Sequence, residues 1–139
     1  MSFQEKSAIA ITGSLVLVYG AYFAIVGRWL AIAPLDDIRY QPLMILVTVP
    51  LIGLAAGSHI AIAVANPKEA NAYDERDRQI TLRAERAGGY VLGVGVFTGI
   101  VFAMVELPQF FIAHELLLFL VLAELTDNVG KIVRYRRGA

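Results

Sequence analysis

Residues 73–90 read YDERDRQITLRAERAGGY and form the densest run of charge in the chain. Ten of the first fourteen residues in this stretch are polar or charged, and the sequence that follows is apolar and rich in glycine. The stretch therefore separates two hydrophobic halves. Over the whole chain, hydrophobic residues make up 58% and charged residues only 17%. Soluble domains carry about 25% charged residues, so this composition is typical of a membrane protein.

The composition also excludes several classes of function. Twelve basic residues balance twelve acidic ones, which gives no indication of nucleic-acid binding. The absence of cysteine excludes disulfides, thiolate metal sites and thiol redox chemistry. The closely spaced Gly93 and Gly95 lie inside an apolar segment and do not follow a strand, unlike the glycines of a dinucleotide-binding loop. We therefore predict a protein that is not an enzyme and has no cofactor.

Four apolar runs cover residues 7–26, 43–64, 87–105 and 110–133. A helix needs about 20 residues to cross a hydrocarbon core of ~30 Å, so each run is close to the length of one membrane span. The pattern predicts an all-α integral membrane four-helix bundle made of two helical hairpins, with residues 1–139 as one domain. Residues 27–42 would then connect the first two spans.

The first run could also be a signal peptide, because Ala31-Ile32-Ala33 resembles a small-x-small cleavage site. That run is longer than the ~7–15 residues of a signal-peptide core, and Glu5 and Lys6 cancel where a basic segment should be. We prefer a retained membrane helix.

Basic residues decide the predicted orientation. With four spans, the N-terminus, the central connector and the C-terminus lie on one side of the membrane, and only Arg28 and Arg39 lie on the other. Because basic loop residues accumulate on the cytoplasmic side, both termini and the charged stretch are predicted to be cytoplasmic. That side holds ten basic residues: Lys6, Lys68, Arg76, Arg78, Arg83, Arg86, Lys131, Arg134, Arg136 and Arg137.

The charged stretch predicts a helix that begins in water. Asp74 suits the N-cap, and acidic residues in the first turn suit the positive end of the helix dipole. A helix from Asp74 to Val105 would be ~48 Å long, so we expect residues 74–86 to project from the membrane as a cytoplasmic extension. This extension is either a solvated helix or a surface that docks a cytoplasmic protein. The docking residues would be Asp74, Glu75, Arg76, Asp77 and Arg78.

Glycines spaced four apart let helices approach closely, which matters in lipid because burial of apolar surface does not drive association there. Such pairs predict helix-packing faces and are compatible with a homo-oligomer. The predicted packing residues are Gly53, Gly57, Gly89, Gly93, Gly95 and Gly99.

Ionisable residues inside a span are costly and are therefore candidate functional residues. His59, Glu124, Asp127 and Asn128 are predicted to lie near one depth, towards the cytoplasmic side. They would form either a proton- or cation-responsive site or a polar clamp between helices. At the opposite membrane face, carboxylate and imidazole groups could in principle bind a divalent cation. Those residues are Glu106, His114 and Glu115.

The D-E-R-D sequence at residues 74–77, followed by Ile80, Ala84 and Tyr90, resembles an uncharacterised family of small bacterial membrane proteins. The opening residues 4–8, QEKSA, add to the likeness. Members have four predicted helices with a D-E-R-D-x-x-I motif before the third. The resemblance implies a multi-pass protein of the bacterial inner membrane with no established activity. Members of this family are often encoded beside small helix-turn-helix regulators, so the resemblance also implies a regulatory partner.

Two hypotheses for function follow. The first is a non-enzymatic membrane protein, structural or regulatory, that docks a cytoplasmic partner through residues 74–86. The alternative is a small transporter or a proton- or cation-responsive membrane protein that uses Glu124, Asp127 and His59.

Overall fold

The computed structural model describes residues 3–50, 52 and 75–137, and these residues are helical wherever they form regular structure. Four α-helices are present in this part of the chain: α1 (Phe3–Ile32), α2 (Gln41–Pro50), α3 (Glu75–Met104) and α4 (Gln109–Arg137). A 3-10 turn at Leu35–Asp37 lies between α1 and α2. No strand occurs among the described residues, so the prediction of an all-α protein is confirmed.

Three of these helices are long and apolar enough to cross a membrane: Ala8–Ile32, Arg78–Met104 and Gln109–Arg136. They correspond to the first, third and fourth predicted spans. The second predicted span, residues 43–64, begins within α2, and most of its remainder lies outside the described residues. The protein therefore has the helices of a membrane protein, as its composition indicates.

The first span is longer than predicted, because α1 passes through Gly27-Arg28-Trp29 and ends at Ile32. An isolated glycine costs a helix only about 1 kcal/mol, and the long arginine side chain can reach water from a helix end. The N–H of Ala33 still donates to the Trp29 carbonyl at 2.9 Å. Pro34 then stops the helix, because proline disfavours helical backbone in the residue before it. The connector thus begins at residue 33 and not at residue 27.

Contacts divide the chain into two compact units. One unit comprises Met1–Val16 and Asp77–Ala139, and the other comprises Leu17–Arg76. The buried apolar residues of the first unit are Ala8, Leu15, Ile80, Ala84, Phe110, Leu117, Val121 and Ala123. Those of the second are Tyr19, Tyr22, Val26, Ile38 and Tyr40.

A four-residue turn joins α3 to α4 and folds them into the expected tight hairpin. The N–H of Leu107 donates to the Phe102 carbonyl at 3.0 Å, and the N–H of Glu106 donates to the Ala103 carbonyl at 3.2 Å. These two bonds form a Schellman cap, in which the residue after the helix adopts left-handed backbone. Glu106 occupies that position with φ of 57°, where glycine is the usual residue.

Replacing Glu106 with glycine is expected to stabilise the hairpin. Left-handed backbone costs a non-glycine residue ~1–2 kcal/mol, and the greater freedom of glycine in the unfolded chain offsets ~0.4–1 kcal/mol of that gain. We expect the free energy of unfolding, measured by circular dichroism during titration with a denaturing detergent, to rise by up to about 1 kcal/mol. Glu106→Ala keeps the strain and should give no gain. If both variants lose the same free energy of unfolding, the glutamate side chain makes a stabilising contact and the prediction is wrong.

Candidate functional site

Small residues hold α3 against α4. A side chain added at Gly88 would lie 2.8 Å from the Ala123 carbonyl oxygen, and one added at Gly99 would lie 2.8 Å from Leu116 Cδ2. Nearer the charged end of the hairpin, a Cβ on Gly130 would lie 3.4 Å from that of Ala84. These pairs advance along α3 as they retreat along α4, so the helices are antiparallel. Between residues 78 and 104 of α3, the buried positions are Ile80, Ala84, Gly88, Gly95 and Gly99.

Of the two predicted glycine pairs on α3, one packs against α4 and the other is exposed. Gly95 and Gly99 pack against Phe119 and Leu116 of α4. Gly89 and Gly93 are exposed, and apart from adjacent residues and the nearby backbone of α3, no described atom lies within 4 Å of a Cβ built at either. The pair Gly89–Gly93 therefore does not pack inside the described part of the chain.

Gly88 provides the third close approach, because one residue turns a helix by about 100° and carries Gly89 away from the interface. The spacing of four, seven and four residues through Ala84, Gly88, Gly95 and Gly99 was the sequence signal for this face. Gly53 and Gly57 lie outside the described residues.

Basic side chains of both helices gather at one end of the hairpin, because the start of α3 meets the end of α4. We call residues 78–86 of α3 with residues 130–137 of α4 the charged hairpin end. Arg78, Arg83, Glu85 and Arg86 are exposed there, whereas Ile80 and Ala84 are buried. Among the predicted docking residues, Arg78 is therefore accessible. Glu75, Arg76 and Asp77 form the start of α3, and Asp74 lies outside the described residues.

Three of the four predicted intramembrane polar residues lie in the described part of the chain, all on α4. Asp127 Oδ2 accepts a bond from Lys131 Nζ at 2.7 Å, and both side chains are largely buried. Asn128 is buried and donates from Nδ2 to the backbone carbonyl of Glu124 at 2.8 Å. The Glu124 residue itself is exposed. His59 lies outside the described residues, so its predicted pairing with these acids stays a prediction.

The three residues predicted as possible ligands of a divalent cation are Glu106, His114 and Glu115, and they differ in burial. His114 is buried, donates from Nδ1 to the Phe110 carbonyl at 2.6 Å and stacks on the Phe110 ring with centroids 4.0 Å apart. Glu106 is exposed at the turn. Within the part of the chain that the structure describes, no group of three or more histidine or acidic residues is arranged to hold a metal.

Glu115 is the most unusual side chain of the hairpin. Only 9% of the residue is exposed, and both carboxyl oxygens are buried without a hydrogen-bond partner in the described structure. Oε2 lies 3.0 Å from the position of a Cβ on Gly99, so the carboxyl group fills the space that this glycine leaves. Most buried polar groups have a partner, so a carboxyl group without one is a position to test.

Comparisons of the chain with protein-family models, curated proteins and solved structures found no match. The likeness based on the D-E-R-D motif therefore stays a prediction.

Proposed function

We propose that the protein is a non-enzymatic membrane module whose charged hairpin end docks a cytoplasmic protein partner. The first support is the length of the two helices. At ~1.5 Å per residue, the 30 residues of α3 and the 29 residues of α4 are each about 45 Å long. A hydrocarbon core of ~30 Å leaves about 15 Å of each helix to be divided between the two membrane faces, and the arginine-rich ends belong in the headgroup region and the water beyond it.

The observation that carries the proposal is that the two helices stay packed at this end. Ala84 contacts Gly130, and Ile80 one turn earlier is buried. A lone helical turn in water frays, whereas two helices that pack against each other hold their shape. The charged hairpin end is thus an ordered surface, and binding to it requires little loss of conformational freedom in this chain.

The exposed charges indicate the chemistry of the partner. Among residues 78–86, the exposed Arg78, Arg83 and Arg86 outnumber the exposed Glu85, and Leu82 beside them is 50% exposed. A basic surface around an apolar residue fits an acidic partner segment with a hydrophobic anchor, since complementary charge steers the encounter and selects the partner. The predicted excess of basic residues on one side of the membrane supports a cytoplasmic location and an orientation typical of inner-membrane proteins.

The alternative of a proton- or cation-responsive transporter has less support. Asp127 is already paired with Lys131, and Glu124 is exposed.

Docking can be tested by placing a photo-crosslinking amino acid at Leu82 in the full-length protein in cells. We expect one discrete protein adduct, and we expect the double reversal Arg83→Glu with Arg86→Glu to reduce it at least tenfold, since like charges across an interface cost several kcal/mol. The matched control is Arg28→Glu with Arg39→Glu, which reverses two exposed arginines elsewhere and should leave the adduct unchanged.

Equal membrane levels of all variants would show that the reversals act on binding and not on insertion. The absence of any protein adduct at position 82, or an adduct that is insensitive to the reversal at Arg83 and Arg86, would contradict the proposal.

A further inference from the structure

A groove runs along α4 towards the charged hairpin end. It has a volume of about 650 Å³. Its walls are apolar for most of their length and its end is basic. It is lined by Ala87 of α3 and by Leu122, Leu125, Thr126, Val129, Gly130, Val133 and Arg134 of α4.

Arg134 gives the groove a polar end. The Nη1 atom of its guanidinium group is buried and has no acceptor in the described structure. The nearest acid on the same helix face, Asp127, lies two turns earlier and already forms a salt bridge with Lys131. A buried donor without a partner costs ~1–3 kcal/mol. The Arg134 residue as a whole is partly exposed and lines the groove, so a small turn of its guanidinium group towards a ligand oxygen would remove that cost. A guanidinium group is suited to phosphate, because it can donate two parallel hydrogen bonds to it.

The dimensions of the groove match one leaflet of a bilayer. Arg134 and Leu122 are twelve residues apart, which corresponds to ~18 Å along a helix. Half of a hydrocarbon core is about 15 Å thick. Leu122 lies near the middle of α4, and Arg134 lies in its last turn. An acyl chain that starts beside Arg134 would therefore end near the bilayer centre.

We propose that this groove binds one anionic phospholipid, with its phosphate on Arg134 and one acyl chain along Val133, Val129 and Leu122. The preference for an anionic lipid follows from Arg134 itself, which lines the groove and would contact the phosphate. One basic residue at the headgroups contributes ~1 kcal/mol towards anionic lipid. A zwitterionic lipid would bring its own cation into this basic region. Both sites lie at the charged hairpin end, but lipid binding uses Arg134 of α4, whereas protein docking uses Leu82, Arg83 and Arg86 of α3.

Native mass spectrometry of the full-length protein in detergent tests the site. The protein is offered phosphatidylglycerol and phosphatidylcholine with identical acyl chains at equal concentration. We expect one retained phosphatidylglycerol and a preference for it of about fivefold, which is the effect of ~1 kcal/mol. Arg134→Gln should abolish the preference. The matched control Arg136→Gln removes an exposed charge two residues away and should keep it.

A second variant tests the groove separately from the charge. Val129 is 44% exposed on the groove wall, so phenylalanine can replace it without disturbing the core. Val129→Phe keeps Arg134 but fills the path of the acyl chain, and we expect the retained lipid to be lost while the helical circular dichroism is unchanged. If Arg134→Gln fails to fold, this variant decides. Equal retention of both lipids by the unmodified protein, or retention by Val129→Phe at the unmodified level, would overturn the proposal.

Discussion

Gly95→Ala is expected to lower the free energy of unfolding by about 3 kcal/mol, because the added methyl group has no room between α3 and α4. A Cβ at this position would overlap the Cβ of Phe119. The Cβ is fixed by the backbone of α4, so rotation of the phenylalanine ring cannot relieve the overlap and the helices must move apart. Titration with a denaturing detergent, followed by circular dichroism, measures the loss.

Gly93→Ala provides the matched control two residues earlier on the same helix. Apart from adjacent residues and the nearby backbone of α3, no described atom lies within 4 Å of its added methyl group, and alanine favours helix over glycine by up to about 1 kcal/mol. We therefore expect Gly93→Ala to be neutral or stabilising. Equal losses in the two variants would show that α3 and α4 do not pack through Gly95. A loss confined to Gly93→Ala, with a change of oligomeric state, would place a second copy of the chain on the exposed face.

Hydrophobic length and connector length predicted the broad features of the fold. The runs at 7–26 and 110–133 lie within α1 and α4, and the run at 87–105 lies within α3 except for its last residue, because about 20 apolar residues are sufficient to define a span. The charge pattern also predicted a helix starting near Asp74, and α3 begins at Glu75. The end of α1 was placed too early, because a Gly-Arg pair is also typical of a span boundary.

The contacts within the hairpin needed the structure. Spacing shows which glycines share a helix face, but it does not show which face meets α4. The adjacent Gly88 and Gly89 illustrate this limit, because one is buried against Ala123 and the other is exposed. The groove beside Arg134 likewise depends on how far Ala87 stands from α4. The distance between two helices cannot be read from the sequence alone.

Glu115→Leu is expected to raise the free energy of unfolding by ~1–3 kcal/mol. Leucine is similar in size to glutamate, and both oxygens of the Glu115 carboxyl group are buried without a hydrogen-bond partner in the described structure. Replacing such a group with an apolar one removes the cost of its lost hydration. It also keeps the contacts with Gly99. The same detergent titration measures the gain.

Asp127→Leu is the matched control, since it replaces a second, largely buried carboxylate of the same helix that does have a partner. Its removal leaves Lys131 without an acceptor at 2.7 Å, so we expect this variant to be less stable than the unmodified protein. A gain in the free energy of unfolding for Glu115→Leu and a loss for Asp127→Leu would show that Glu115 destabilises the hairpin whereas Asp127 stabilises it. A loss in both would mean that the Glu115 carboxyl group has a favourable interaction that offsets its burial. In that case Glu115, and not the pair of Asp127 and Lys131, would become the first residue to examine for ion binding.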